Sequence, residues 1–88
     1  MKIREGFILR DVAGQTFVVP TGKLSQEYQG MITLNETGKF IWQCLEKEMT
    51  NEQIVEEIMK TFEDAEREVV QKDVESFVNK MLEGKIIE

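Results

Sequence analysis

Two adjacent acidic pairs, Glu56-Glu57 and Glu63-Asp64, are the side chains in this sequence whose type could hold a metal ion or move a proton. Nothing in their spacing places them about a common point, so they read as solvated faces of helices. The single cysteine, Cys44, has no partner for an internal disulfide, and the chain contains no histidine. Nucleophile–histidine pairs and ordinary zinc sites are thereby excluded. Cys44 falls on an apolar helical face and reads as a small buried hydrophobe. A phosphate-cradling glycine loop, an HExxH helix, a nucleophile elbow and a CxxC pair are all missing from the sequence. The chemistry expected is that of a binding surface, with no catalytic group, no metal and no cofactor.

Charge narrows what such a surface could bind. Residues 1–35 carry four basic and three acidic side chains, whereas residues 36–88 carry seven basic and fourteen acidic ones. A DNA-binding domain needs Lys and Arg facing the phosphates. The second predicted helix, 50–62, has three acids against one base, and the third, 65–83, has five against three. Such helices repel a duplex, so no nucleic-acid partner is expected.

With 88 residues the chain makes one domain, 1–88, with one modest core and no room for a deep enclosed active site. No apolar run approaches the ~20 residues of a membrane span. The first residues, Met-Lys-Ile-Arg-Glu-Gly, lack the apolar run and cleavage site of a signal peptide. The expectation is a cytoplasmic domain with no membrane partner.

The stretch from Met31 to Leu45 organises the elements around such a surface. Met31 to Leu34 reads as a short strand running into a helix, with Asn35 as N-cap and Glu36 at the positive end of the helix dipole. Thr37, Ile41, Cys44 and Leu45 share one helical face, with Phe40 beside them. Trp42 lies off that stripe and reads as an aromatic closing the core, with a ligand-facing role as the alternative.

Before this stretch, Phe7–Val12 and Gln15–Pro20 are rich in β-branched and aromatic residues and flank Ala13-Gly14, a hairpin pattern. Phe17 and Val19 share one face of the second strand, and Pro20 marks its end or an edge. The polar connection from Thr21 to Gly30 has room for a bent or bulged strand extension. Its one aromatic, Tyr28, reads as a cover on the core, with a ligand contact as the alternative.

After it, Thr50-Asn-Glu-Gln53 is a capping box, and Met49 and Ile54 are spaced as a hydrophobic staple. Ile54, Val55, Ile58, Met59 and Phe62 form the stripe of a second helix. Asp64 is the expected cap of a third, and Gly84 its expected left-handed end. On that third helix 70, 74, 77 and 81 form one apolar line and 74, 78 and 82 a neighbouring one. Two lines suit either a core and a groove, or a small three-helix core that takes both. The order predicts an α+β domain, winged helix-turn-helix-like, with an N-terminal three-stranded antiparallel sheet followed by three helices.

Leu34-Asn-Glu-Thr-Gly-Lys-Phe-Ile-Trp42, the capped helix from Thr50-Asn-Glu-Gln-Ile-Val55, and the ending Met81-Leu-Glu-Gly-Lys-Ile-Ile87 together resemble the PqqD family. Members are small peptide-binding proteins, also called recognition elements for ribosomally synthesised and modified peptides. The resemblance runs from about Phe7 to Ile87 and rests on the order and spacing of segments. It implies a peptide-chaperone domain that captures the leader of a precursor peptide and presents it to a modifying enzyme, usually a radical SAM maturase. It further implies that the leader adds as a strand along Gln29, Gly30, Met31, Ile32, Thr33 and Leu34. The leader would then lie against a pocket of Val70, Asp73, Val74, Phe77, Lys80 and Met81. An exposed sheet edge in so small a domain suits strand addition on physical grounds as well. The competing reading is a winged-helix regulator or a protein–protein adaptor.

Overall fold

The computed structural model describes residues 1–28 and 30–88. Strands β1 (Phe7–Val12) and β2 (Gln15–Pro20) pair antiparallel, with Phe7 opposite Pro20 and Val12 opposite Gln15. Ala13 and Gly14 join them with φ of 52° and 81°. Both central residues are left-handed, as a turn matching the twist of a hairpin requires. A third strand, β3 (Ile32–Leu34), pairs antiparallel with β2 and closes the order β1-β2-β3.

Between β2 and β3 the chain departs from the expected strand extension. It forms one helical turn, α1 (Leu24–Glu27), which buries Leu24. Gly6, at φ +107°, lies against that side chain, and a Cβ there would stand 2.7 Å from Leu24 Cδ1. Tyr28 follows and locks the turn in place. Its hydroxyl donates to the Gly84 carbonyl at 2.7 Å and accepts from Arg4 at 3.1 Å, while its ring meets Phe7 edge-on. Tyr28 is therefore a structural cover.

Three longer helices follow: α2 (Glu36–Glu46), α3 (Asn51–Thr61) and α4 (Arg67–Glu83). Asn35 caps α2, its side chain accepting from the Gly38 amide at 2.7 Å. Thr50 and Gln53 complete a reciprocal capping box on α3. Asp64, by contrast, lies in a turn, and Glu66 takes the N-cap position of α4 without a side-chain hydrogen bond. At the other end Gly84 stays right-handed (φ −78°) and Lys85 is the left-handed residue (φ 59°). Ile86 N–H donates to the Met81 carbonyl and Lys85 N–H to that of Leu82, the paired bonds of a Schellman ending displaced by one residue from the glycine.

The core lies between the inner sheet face and the helices. It gathers Val18, Leu34, Ile41, Trp42, Leu45, Ile54, Ile58, Val74 and Val78, among others. Register puts Phe7, Leu9, Val18, Ile32 and Leu34 on that inner face. Phe17 and Val19 therefore point the other way. Trp42 is fully buried and structural, although its Nε1 donor has no acceptor among the described residues. The last residues complete the core. Ile86 and Ile87 are buried, and Ile87 pairs antiparallel with Ile3 near the start of the chain. No helix among the described residues is long and apolar enough to cross a membrane.

Candidate functional site

Side chains free to meet a ligand gather where β3, the start of α2 and one flank of α4 converge. The closeness of that convergence is fixed by Gly38. A Cβ on it would sit 3.3 Å from Phe77 Cε2 of α4, 3.5 Å from Leu34 Cβ and 3.2 Å from the capping Asn35 oxygen. Beside this junction opens a cleft of about 220 Å³, lined by Asn35, Thr37, Gly38, Ile41, Asp73, Ser76, Phe77 and Lys80. A second hollow of about 300 Å³ continues it toward the start of α4, lined by Ile58, Phe62, Ala65, Val69 and Val70, with Asp64 and Glu66 beside them. Thr37 and Asp73 border both, so the two form one channel along α4.

β3 leads directly into Asn35, which lines the cleft. β3 pairs with β2 on one side and with no strand among the described residues on the other. Its inner residues, Ile32 and Leu34, pack on the core, whereas Thr33 is exposed. Met31, just before the strand, is 59% exposed. Gly30 is exposed at φ +84°. Gln29, also expected along this edge, lies outside the described residues.

On α4 the expected pocket residues separate. Asp73, Phe77 and Lys80 line the cleft, and Val70, though 7% exposed, lines its continuation. Val74 and Met81 do not reach it. At 0% and 5% exposure they are closed into the core with Val78. The reason is angular: α4 packs on α3 and α2, its buried residues are 70, 74, 78 and 81, and the open flank is 69, 73, 76, 77 and 80. Sequence reasoning also missed the opposite wall, Asn35, Thr37, Gly38 and Ile41, together with Phe62, Ala65 and Val69. The signal for Val69 was present, since an apolar residue beside the buried Val70 falls off any single stripe; it is 52% exposed.

Electrostatically the channel has two ends. Asp64, Glu66 and Asp73 lie toward the start of α4, and no salt-bridge partner of theirs is found among the described residues; Lys80 stands at the far end. The carboxylates that do have partners lie elsewhere. Glu56 holds Arg67 and so ties α3 to α4, and the Arg67 hydrogen bond keeps its carboxyl below the usual range. Asp11 is likewise lowered, by the Thr16 hydroxyl and then by Lys39 of α2. Cys44 is buried, and burial, reinforced by Glu57, pushes its thiol up, away from the reactive thiolate. Among the described residues no three His, Cys, Asp or Glu side chains gather to hold a metal ion. The channel offers apolar contacts, rim charges of both signs and a free backbone edge.

Residues 22–87 match the profile of the family described as coenzyme PQQ synthesis protein D (PqqD). The solved structure of TbiB1 in complex with the TbiA(beta) leader peptide superposes with a TM-score of 0.78 at 20% identity, over 100% of this chain and 95% of that one. No curated protein sequence matches significantly.

Proposed function

The chain belongs to the PqqD family, and on that premise we propose that it is a non-catalytic module for capturing the leader of a ribosomally synthesised precursor peptide. The leader adds as a fourth strand along 29–34, and the domain presents it to a modifying enzyme. The observation that carries this reading is the unpaired edge of β3, a strand that leads directly into Asn35 in the lining of the α4 channel. Backbone ladder bonds supply affinity with little sequence demand, and the channel selects side chains. The alternate leader residues on the inner side meet Phe77 and Val69, while Asp73 and Lys80 set the charges that flank them. TbiB1, of the same fold, is a protein solved with a leader peptide bound, which supports leader capture as the role of this domain. The enzyme served is a radical SAM maturase, as the family resemblance implies, and the domain works in the cytoplasm.

Amide hydrogen exchange on the complex with the cognate leader tests strand addition. Several amides between Gln29 and Leu34 gain protection, while those of α3 change little. Protection along α3 or the Ala13-Gly14 turn instead would replace the mechanism. Proline at Ile32 or Thr33 provides a second check. Only one of these amides faces the added strand, so one substitution abolishes capture by removing a ladder donor. The regulator reading is tested by gel shift: with fourteen acids against seven bases over residues 36–88, the isolated domain leaves duplex DNA unshifted at physiological salt.

A further inference from the structure

The outer face of the sheet carries apolar side chains among its polar ones, where solvent favours polar side chains. Register places Ile8, Arg10 and Val12 of β1 on that face with Gln15, Phe17 and Val19 of β2 and Thr33 of β3. Among the described residues, Ile8, Phe17 and Val19 are partly buried without packing on the core cluster. They shield one another, and Val12 at the rim is 57% exposed. An antiparallel sheet with one solvated face ordinarily alternates to polar residues there. A contiguous apolar patch of this kind marks a contact surface.

We propose that this outer face, widened by the bound leader, is where the modifying enzyme docks, through an apolar surface carrying a carboxylate opposite Arg10. The proposal rests on the strand-addition reading. A strand alternates its side chains between faces. A leader paired with β3 therefore sends every second residue into the α4 channel and the others onto the outer face, next to Thr33 and in line with Phe17. The face seen by a partner is then continuous across domain and peptide.

Charge selects the partner. Arg10 is exposed, stands directly across from Phe17 and is flanked on its strand face by Ile8 and Val12. No carboxylate among the described residues forms a salt bridge with it. Asp11, its neighbour, points to the inner side, where it is held by Thr16 and Lys39. A second copy of this chain packed through the same face would bring a second Arg10 and, among the described residues of that face, no carboxylate to answer either. A different protein bearing a carboxylate resolves that repulsion.

Area explains why the peptide matters. Three strands of up to six residues cover roughly 300 Å² in plan, well below the ~800 Å² per partner of a stable interface. A fourth strand widens the patch by about a third and adds its own side chains. Docking is thus weak without the leader and strengthened by it.

The test uses the purified domain with a precursor leader peptide and a modifying enzyme encoded in the same genome. Leader affinity comes from calorimetric titration, and enzyme affinity from biolayer interferometry with and without saturating leader. Arg10→Glu and Phe17→Thr are expected to change leader affinity less than about twofold while weakening enzyme capture of the loaded domain at least tenfold. Val12→Thr, milder for folding, moves enzyme capture in the same direction by a smaller factor. Enzyme affinity unchanged in all three variants, or equal with and without leader, overturns the docking surface and leaves leader capture standing. A loaded domain that dimerises in sedimentation through this face assigns the patch to a second copy and likewise overturns it. A wild-type domain that fails to bind the leader sinks the strand-addition reading itself, and the composite surface with it.

Discussion

Val69 and Val70 are adjacent in sequence and chemically identical, yet one is 52% exposed and the other 7%. Between them runs the boundary dividing α4 into two flanks. On one side Val70, Val74, Val78 and Met81 are closed against the core. On the other, Val69, Asp73, Ser76, Phe77 and Lys80 face the channel beside β3. The closed flank is apolar throughout and has no charge to satisfy. The open flank mixes apolar and charged groups, as a site must that anchors a peptide yet tells one from another. A broad apolar band on a helix thus divides into a part that holds the fold and a part that serves it.

The division makes graded predictions. Val74→Asp strikes the closed flank and should be the most damaging, because it buries an unpaired carboxylate. A loss above ~3 kcal/mol is expected, and urea denaturation monitored by circular dichroism reads it. Phe77→Ala lies on the boundary. Being only partly buried, Phe77 should cost less stability than the ~3–5 kcal/mol of a fully buried phenylalanine. The variant stays folded, and leader affinity falls about tenfold, as for a hot-spot aromatic. Unchanged titration by a folded variant would return Phe77 to the closed flank and move the boundary.

Charges on the open flank should act on binding alone. Asp73→Asn and Lys80→Gln are expected to keep the melting midpoint, with stability changes within ~0.5 kcal/mol. Each should shift leader affinity in a salt-dependent way. A drop in melting temperature for either would mean that the flank carries structural weight.

The smallest effect concerns the link between α3 and α4 on the side away from the channel. Glu56 has a lowered carboxyl pKa because of Arg67. The pair therefore stabilises the fold above the unfolded carboxylate range, and that contribution fades as pH falls through the lowered folded value. Both partners are exposed, so the loss is slight. Arg67→Gln should flatten this part of the acid titration of stability and leave leader capture alone.

Local features were legible in the sequence where local chemistry decides them. The hairpin ends fall where β-branched runs meet Ala13-Gly14, and the caps at Asn35 and Thr50 stand where their side chains can reach the first-turn amides. The single turn of α1 escaped because one buried residue, Leu24, in a polar connection gives no period. The left-handed residue ending α4 was placed at Gly84, but it falls one residue further, at Lys85, where the Ile86 and Lys85 amides bond back to the Met81 and Leu82 carbonyls. The inward face of β2 depends on its neighbours: Val18 lies between Leu9 and Ile32, whereas Phe17 lies between Arg10 and Thr33. Of the cleft, Asp73, Phe77 and Lys80 were reachable from spacing. Its other wall was not, because Asn35 and Thr37 come near α4 only through the close approach at Gly38.

The pairing of Ile3 with Ile87 brings the two ends of the chain side by side. Lys2 N–H donates to the Glu88 carbonyl at 2.7 Å, and Glu88 N–H returns the bond to Lys2 at 2.8 Å. Adjacent ends make a fold indifferent to where its covalent thread is cut. A few flexible residues bridging 88 to 1, with new termini opened at the exposed Ala13-Gly14 turn, should give a circular permutant that keeps β3 and the α4 channel. The same adjacency lets the whole domain be spliced into a surface loop of a larger host with its entry and exit a few ångströms apart.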